Sequence, residues 1–223
     1  RLSAVCRAHG AWIHSDTVQS MGHYPLDLGA MDVDFLTCSA HKFHGPKGAG
    51  FLYVNPTLRI HGMIVGGGQE RMLRGGTENV AGIVGLAKAF DLAFEHMAEH
   101  EAHIRALKRR MAEGLTASVP GVVFNGESDR EDRLYTVLNA KFPAHPNGGM
   151  AVFLLDLEGI ACSGGSACSS GATLGSHVLR ALGFHEPEKA SIRFSLSRYT
   201  TESDIDRALE AVGKVFAPVE QPA

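Results

Sequence analysis

Little in this chain is extreme, and each scarcity removes a class of protein. Cysteine occurs four times, at positions 6, 38, 162 and 168, with no C-x-x-C pair and no paired framework. That excludes a disulfide-stapled secreted scaffold and points to free thiols in a reducing setting. Excess charge is also missing: the net of −3 gives no reason to expect a nucleic-acid or membrane-surface partner. There is no apolar run of membrane-spanning length and no secretory segment, so a cytoplasmic location is expected. An initiator methionine is lacking as well. Arg1-Leu2-Ser3-Ala4 opens in what reads as the middle of a helix, which predicts that the sequence is a fragment.

What is present suffices for a sizeable core, since 44% of the 223 residues are hydrophobic, enough for one or two domains. The 26 glycines cluster at 45–50, 62–76 and 164–175, where loops with unusual backbone demands are expected. Residues 2–9 read as a helix tail, Ala11–His14 as a short buried strand, and 33–37 and 50–54 as two strands. Between those two strands lies Cys38-Ser39-Ala40-His41-Lys42-Phe43-His44-Gly45-Pro46-Lys47-Gly48, a polar turn punctuated by glycine and proline. A lysine at a strand end among hydroxyl and imidazole groups is either a solubilising charge or a Schiff-base former. Asp16 and Gln19 lie just past the first strand, where α/β sheets bind ligands, although Asp16 also suits a helix N-cap.

Residues 61–79 form a long Gly-rich polar loop of the kind that is usually functional or disordered. From Val80 the apolar spacing turns helical and runs past Leu115, too long for one helix, which places a bend near 97–100. Its His96, His100 and His103 have metal-ligand spacing but no carboxylate or cysteine to close a set, so they read as a solvated face. Beyond it, strands are predicted at 122–125, 136–140, 160–162 and 191–196. Helices are predicted at 150–157 and 176–182, and the last helix starts with a cap made either by Thr200 with Ser203 or by Thr201 with Asp204.

Two residues stand out in this second half. Cys168 sits among small residues, Ser163-Gly164-Gly165-Ser166-Ala167-Cys168-Ser169-Ser170-Gly171, where a thiol is either accessible and reactive or an inert part of a turn. Arg193 lies inside a strand between Ile192 and Phe194 and needs an anion, either a bound carboxylate or a structural ion pair. Cys6, Cys38 and Cys162 lie in apolar or strand contexts and read as structural.

Taken together, these stretches resemble the group I cysteine desulfurases, pyridoxal-phosphate enzymes of the class V aminotransferase type. The resemblance rests on His14–Ser20, Ser39–Gly48, Gly66–Arg71 with Arg74–Thr77, Ser163–Ser169 and Ser191–Arg198, in the family's order across nearly the whole chain. It implies an α/β fold: the later part of a fold-type-I large domain, with a mostly parallel sheet, at 1–97, and a small C-terminal α+β domain at 98–223. It implies that Lys42 forms the internal aldimine and moves a proton, helped by His41, that Asp16 holds the pyridine nitrogen, and that Gln19 bonds the phenolic oxygen. Ser39 and His41 would hold the phosphate, Thr77 the phosphate of a partner subunit's cofactor, and Arg193 the substrate carboxylate. Cys168 would take sulfur from L-cysteine as a persulfide, leaving alanine, and hand it to an iron–sulfur scaffold or a tRNA-thiolation enzyme. No resident metal is implied, only contact of Cys168 with a transient iron–sulfur cluster. A homodimer is implied too.

The family's phosphate-cradling turn, its ring-stacking histidine and its asparagine near the phenolic oxygen all precede the Asp16 region and have no counterpart here. That predicts weak or absent cofactor binding by the fragment alone. The alternatives are a selenocysteine lyase or other fold-type-I enzyme, or a non-catalytic dimerising or scaffold module.

Overall fold

Alternation of burial along Phe35-Leu36-Thr37-Cys38-Ser39, with Leu36 and Cys38 facing inward, makes this segment the centre of a small sheet. In the computed structural model, which describes residues 1–164, 176–183 and 189–217, the chain divides into two units, Arg1–Ala98 and Glu99–Ala223. The first unit comprises α1 (Leu2–Ala8), β1 (His14–Asp16), β2 (Phe35–Ser39), β3 (Gly50–Val54) and α2 (Val80–Glu95). Its sheet order is β1-β2-β3. β1 runs parallel to β2 with Asp16 opposite Thr37, and β2 runs antiparallel to β3 with Ser39 opposite Gly50, so the sheet is mixed.

Beneath this sheet lies one apolar cluster of Met21, Cys38, Ala40, Phe43, Ala89 and Ala93, flanked by Phe51, Leu86, Phe90 and Phe94. Ala89 and Ala93 are one helical turn apart on α2, and their small side chains admit the turn that follows β2. The N-cap Asn79 starts α2, its side chain accepting from Gly82 N at 3.1 Å. At the other side Arg7 of α1 grips Asp34 (2.7 Å) and Asp32 (2.6 Å), and Asp34 also accepts from Ile13 N at 2.8 Å. The Arg7 guanidinium and the Ile13 N–H hold the Asp34 carboxyl below the usual carboxylate range. A buried carboxylate paired this fully ties α1, the entry of β1 and the entry of β2 together.

The second unit holds α3 (Met97–Ser118), β4 (Val123–Phe124), β5 (Val137–Ala144), α4 (Ala151–Leu157), α5 (His177–Ala181), β6 (Lys189–Ser195) and α6 (Glu202–Val215). Its antiparallel sheet has the order β4-β5-β6. Leu138, Ala140 and Phe142 of β5 and Ile192 and Phe194 of β6 are buried, as are Ile104, Leu107, Met111 and Leu115 of α3 and Ile205, Ala208, Val212 and Val215 of α6. Period two on the strands and period 3.6 on the helices thus supply facing apolar surfaces. Gly114 of α3 leaves room for Leu209 of α6. A complete capping box starts α6: Thr201 Oγ1 accepts from Asp204 N at 3.2 Å, and Asp204 Oδ2 accepts from Thr201 N at 2.9 Å.

Two local expectations are corrected. The strand expected at Ala11–His14 is His14–Asp16 instead, and Trp12 is 60% exposed, because β1 pairs with β2 alone and lies at a sheet edge among the described residues. Ile160–Cys162 is not a strand. Ile160 N is used to close α4 on Leu155 O at 2.9 Å, beside Gly159 in the left-handed region (φ 78°). Pairing begins only at Ser163, which bridges Arg193.

Candidate active site

The parallel pairing of β1 and β2 brings the C-terminal ends of both strands to one edge of the sheet. Asp16 ends β1, Ser39 ends β2, and His41 and Lys42 follow within one 3₁₀ turn, Ala40–Phe43. In such a turn, with three residues per revolution, residues three apart share a face. Ala40 and Phe43 therefore point together into the core, at 0% and 1% exposure, and His41 and Lys42 are turned away from it. The turn ends at His44 in the left-handed region (φ 70°), and Gly45 N returns to Ala40 O at 2.9 Å. A Cβ on Gly45 would lie 2.8 Å from Ala40 Cβ, so only glycine lets the chain double back there.

Asp16, Ser39 and His41 each have a hydrogen-bond partner at this edge. Thr17 anchors the end of β1 by donating both its N–H (3.0 Å) and its hydroxyl (2.7 Å) to Thr37 O, which fixes the neighbouring Asp16. One Asp16 oxygen accepts from Val18 N at 2.9 Å. Ser39 Oγ and His41 Nδ1 share a hydrogen bond of 2.9 Å. Asp16, Gln19 and His41 are exposed, whereas Ser39 and Lys42 are half-buried. The structure thus collects a carboxylate, a hydroxyl, an imidazole and an amine at one strand edge. Gln19 lies three residues past Asp16, in the turns that follow β1.

Thr77 stands apart in the chain, exposed between Gly76 and Asn79 at the end of the 61–79 loop. That loop is ordered by its own backbone: Ile64 pairs with Arg74, Gly75 N donates to Ile64 O at 2.8 Å, and Gln69 Oε1 accepts from Gly76 N at 3.3 Å.

Arg193 is in the second unit, on β6 opposite Asn139 of β5. Its Nε is buried and has no hydrogen-bond partner among the described residues. Leaving a buried donor unpaired costs about 1–3 kcal/mol. Around it lies a network that the sequence reading missed. Asn125 Nδ2 donates to Asn139 Oδ1 (2.8 Å) and Ser191 Oγ (3.0 Å), and Ser191 Oγ donates to Asn139 Oδ1 (3.0 Å). An asparagine in mid-strand was the available signal. Cys168 lies outside the described residues, but the root of its loop does not. Ser163 N donates to Arg193 O (3.2 Å) and Arg193 N donates to Ser163 O (2.7 Å), so the segment leading to Cys168 departs from beside Arg193.

Two thiols behave as structural groups. Burial pushes Cys38 up to about 11, and burial with the nearby Asp156 does the same for Cys162. Among the described residues no group of three or more His, Cys, Asp or Glu is arranged to hold a metal, and no helix is long and apolar enough to cross a membrane. His103 of α3, the last of the spaced histidines, pairs its Nε2 with Thr200 O at 2.8 Å.

The chain that carries this lysine turn matches the model of the aminotransferase class-V family over residues 1–208. The chain belongs to that family. It is 42% identical over 216 residues to the cysteine desulfurase IscS of Clostridium botulinum, covering 96% of this chain and 54% of that protein. It is 45% identical over 223 residues to a cysteine desulfurase of Sinorhizobium fredii, covering 99% of this chain and 57% of that protein. The fold is similar to that of a NifS-like protein from Rickettsia africae, with a TM-score of 0.84 and 32% identity over 96% of this chain and 56% of that one. This class-V chain therefore has the α/β architecture of part of the NifS-like fold, and it spans about half the length of the curated relatives it matches.

Proposed function

We propose that this class-V chain is part of a cysteine desulfurase that converts L-cysteine to L-alanine and passes the sulfur on as an enzyme persulfide. The observation that carries the reading is the edge of the first sheet, where Ser39, His41 and Lys42 follow β2 and Asp16 ends the parallel β1. These residue types fit pyridoxal phosphate: an amine for its aldehyde, a hydroxyl and an imidazole for its phosphate, a carboxylate for its ring nitrogen. The unpartnered, buried Nε of Arg193 fits the carboxylate of an amino-acid substrate.

When bound, pyridoxal phosphate supplies a ring that withdraws electrons from the substrate Cα. Lys42 Nζ would hold the cofactor and would be the group that moves a proton at that Cα. Asp16 would accept a hydrogen bond from the ring nitrogen, Gln19 would donate to the phenolic oxygen, and Ser39 and His41 would hold the phosphate. Thr77 would reach the phosphate of the cofactor in a second subunit of a homodimer. Arg193 fixes the substrate carboxylate by a charge-assisted pair. The Cys168 thiolate would attack the sulfur of L-cysteine, an S–S bond forming as the substrate C–S bond breaks; the bonding pair stays with the substrate carbon, which takes up a proton to give L-alanine, and the sulfur remains on Cys168 until an acceptor for iron–sulfur assembly or tRNA thiolation takes it. Residues 1–97 serve as the later part of the cofactor-binding domain, and 98–223 as the small domain carrying Cys168. The setting is cytoplasmic.

The test uses the full protein containing this chain, supplied with pyridoxal phosphate and L-cysteine. Alanine and a Cys168 persulfide form together, Lys42→Ala abolishes both, and Cys168→Ser keeps the cofactor absorbance but not the persulfide. Alanine formation unchanged in Cys168→Ser would sink the role of the thiol, and faster turnover of selenocysteine with no persulfide would favour a lyase.

A further inference from the structure

Three consecutive residues, Met21, Gly22 and His23, press on the two residues that end the lysine turn. Met21 is buried in the same cluster as Phe43. Gly22 comes so close that a Cβ there would lie 2.9 Å from Phe43 Cβ, and its φ of 76° suits glycine alone. His23 places Nε2 3.3 Å from the carbonyl oxygen of Lys42. A carbonyl can only accept, so Nε2 carries the proton in this contact. Burial pushes the His23 imidazole below its usual value, partly opposed by the same hydrogen bond.

We infer that His23 is a positioning residue that sets the direction in which the Lys42 side chain leaves its turn. The carbonyls at the end of a short 3₁₀ turn have no following turn to bond with. The backbone here leaves that turn at once into the left-handed region at His44, so the Lys42 carbonyl has no donor within the turn to hold it. His23 supplies that hold from another segment. The segment is the one that carries Asp16 and Gln19, and it is wound into consecutive turns by Ser20 N and Met21 N donating to Thr17 O and by His23 N and Tyr24 N donating to Ser20 O. One eight-residue stretch therefore anchors to β2 at Thr17, presents Asp16 and Gln19, and clamps the backbone of Lys42. The amine and the carboxylate are held in one frame rather than on two independent loops, the kind of preorganisation a reacting amine needs.

The inference rests on the proposed role of Lys42, and the experiment separates the two. The full protein containing this chain is mixed with pyridoxal phosphate, reduced with borohydride and digested, and the share of pyridoxyl label on Lys42 relative to the neighbouring Lys47 is read by mass spectrometry. Wild type labels Lys42 preferentially; indiscriminate labelling in wild type would overturn the role of Lys42 itself. In His23→Phe the Lys42 share falls about five-fold, the size of one hydrogen bond. His23→Gln, whose Nε2 reaches the carbonyl, keeps the wild-type share, and His23→Asn, whose amide stops short, loses it. The Gln and Asn pair gives the same comparison should His23→Phe not fold. Variants that melt earlier yet keep the wild-type share of label would show His23 to be merely structural and overturn the inference.

Discussion

Removing the Phe43 side chain tests whether the lysine turn is held by its core contact. The ring is 1% exposed and sits edge-on to Phe90 at 6.1 Å between centroids, inside the cluster of Met21, Cys38, Ala40, Ala89 and Ala93. Phe43→Ala forfeits about 2–3 kcal/mol of transfer free energy. It also opens a cavity that Ala40, Ala89 and Ala93 are too small to refill, for a total of about 3–5 kcal/mol. Against the roughly 5–15 kcal/mol typical of a whole domain this is a large fraction. Trp12 is the single tryptophan and lies in the first unit, in edge contact with Phe35 of β2 at 5.8 Å, so its fluorescence reports that unit alone. With a urea slope of about 2 kcal/mol/M, the midpoint falls by about 1.5–2.5 M. Phe43→Leu, which keeps most of the volume, falls by about 0.5 M. A Phe43→Ala midpoint no lower than that of Phe43→Leu would refute the claim that this ring holds the turn against α2.

Cys38 and Cys162, both pushed up to about 11, carry about a hundredfold fewer thiolates at pH 8 than thiols at the ordinary value. In the native protein they therefore resist iodoacetamide at pH 8 and react in urea. Because the fold prefers the protonated thiols, stability falls as pH rises from the ordinary thiol value toward about 11. Rapid native labelling of either cysteine at pH 8 would contradict their burial. Thr201→Ala, which removes the cap of α6, costs about 1 kcal/mol and lowers Tm by about 4 °C, whereas Thr201→Ser retains the cap. An unchanged Tm in Thr201→Ala would show that the box adds nothing to α6.

The chemistry-bearing residues were legible where they lie in contiguous runs. Ser39, His41 and Lys42 sit within four residues of one another, and glycine and proline punctuation already separated their turn from the flanking strands. The last helix was legible for the same reason, since a capping box is written in four consecutive residues. The short strands were not. His14–Asp16 was placed too early and Ile160–Cys162 was wrongly made a strand, because a strand of three residues is decided by the partner it finds. Cys38 read as structural from its apolar neighbours, and burial agrees.

Local pattern, then, was enough to place an amine, a hydroxyl and an imidazole on one turn and an arginine in one strand, since each of those facts depends on neighbours a few residues away. Which residues lie beside them depends on chain pairing over longer separations. The parallel register of β1 with β2 puts Asp16 at the edge that carries Lys42. The turns after Thr17 bring His23 to the Lys42 carbonyl, nineteen residues along the chain. The β5–β6 ladder sets Asn139 against Arg193. These contacts are hydrogen bonds and close packing between segments with no common local motif, so only the folded chain decides them.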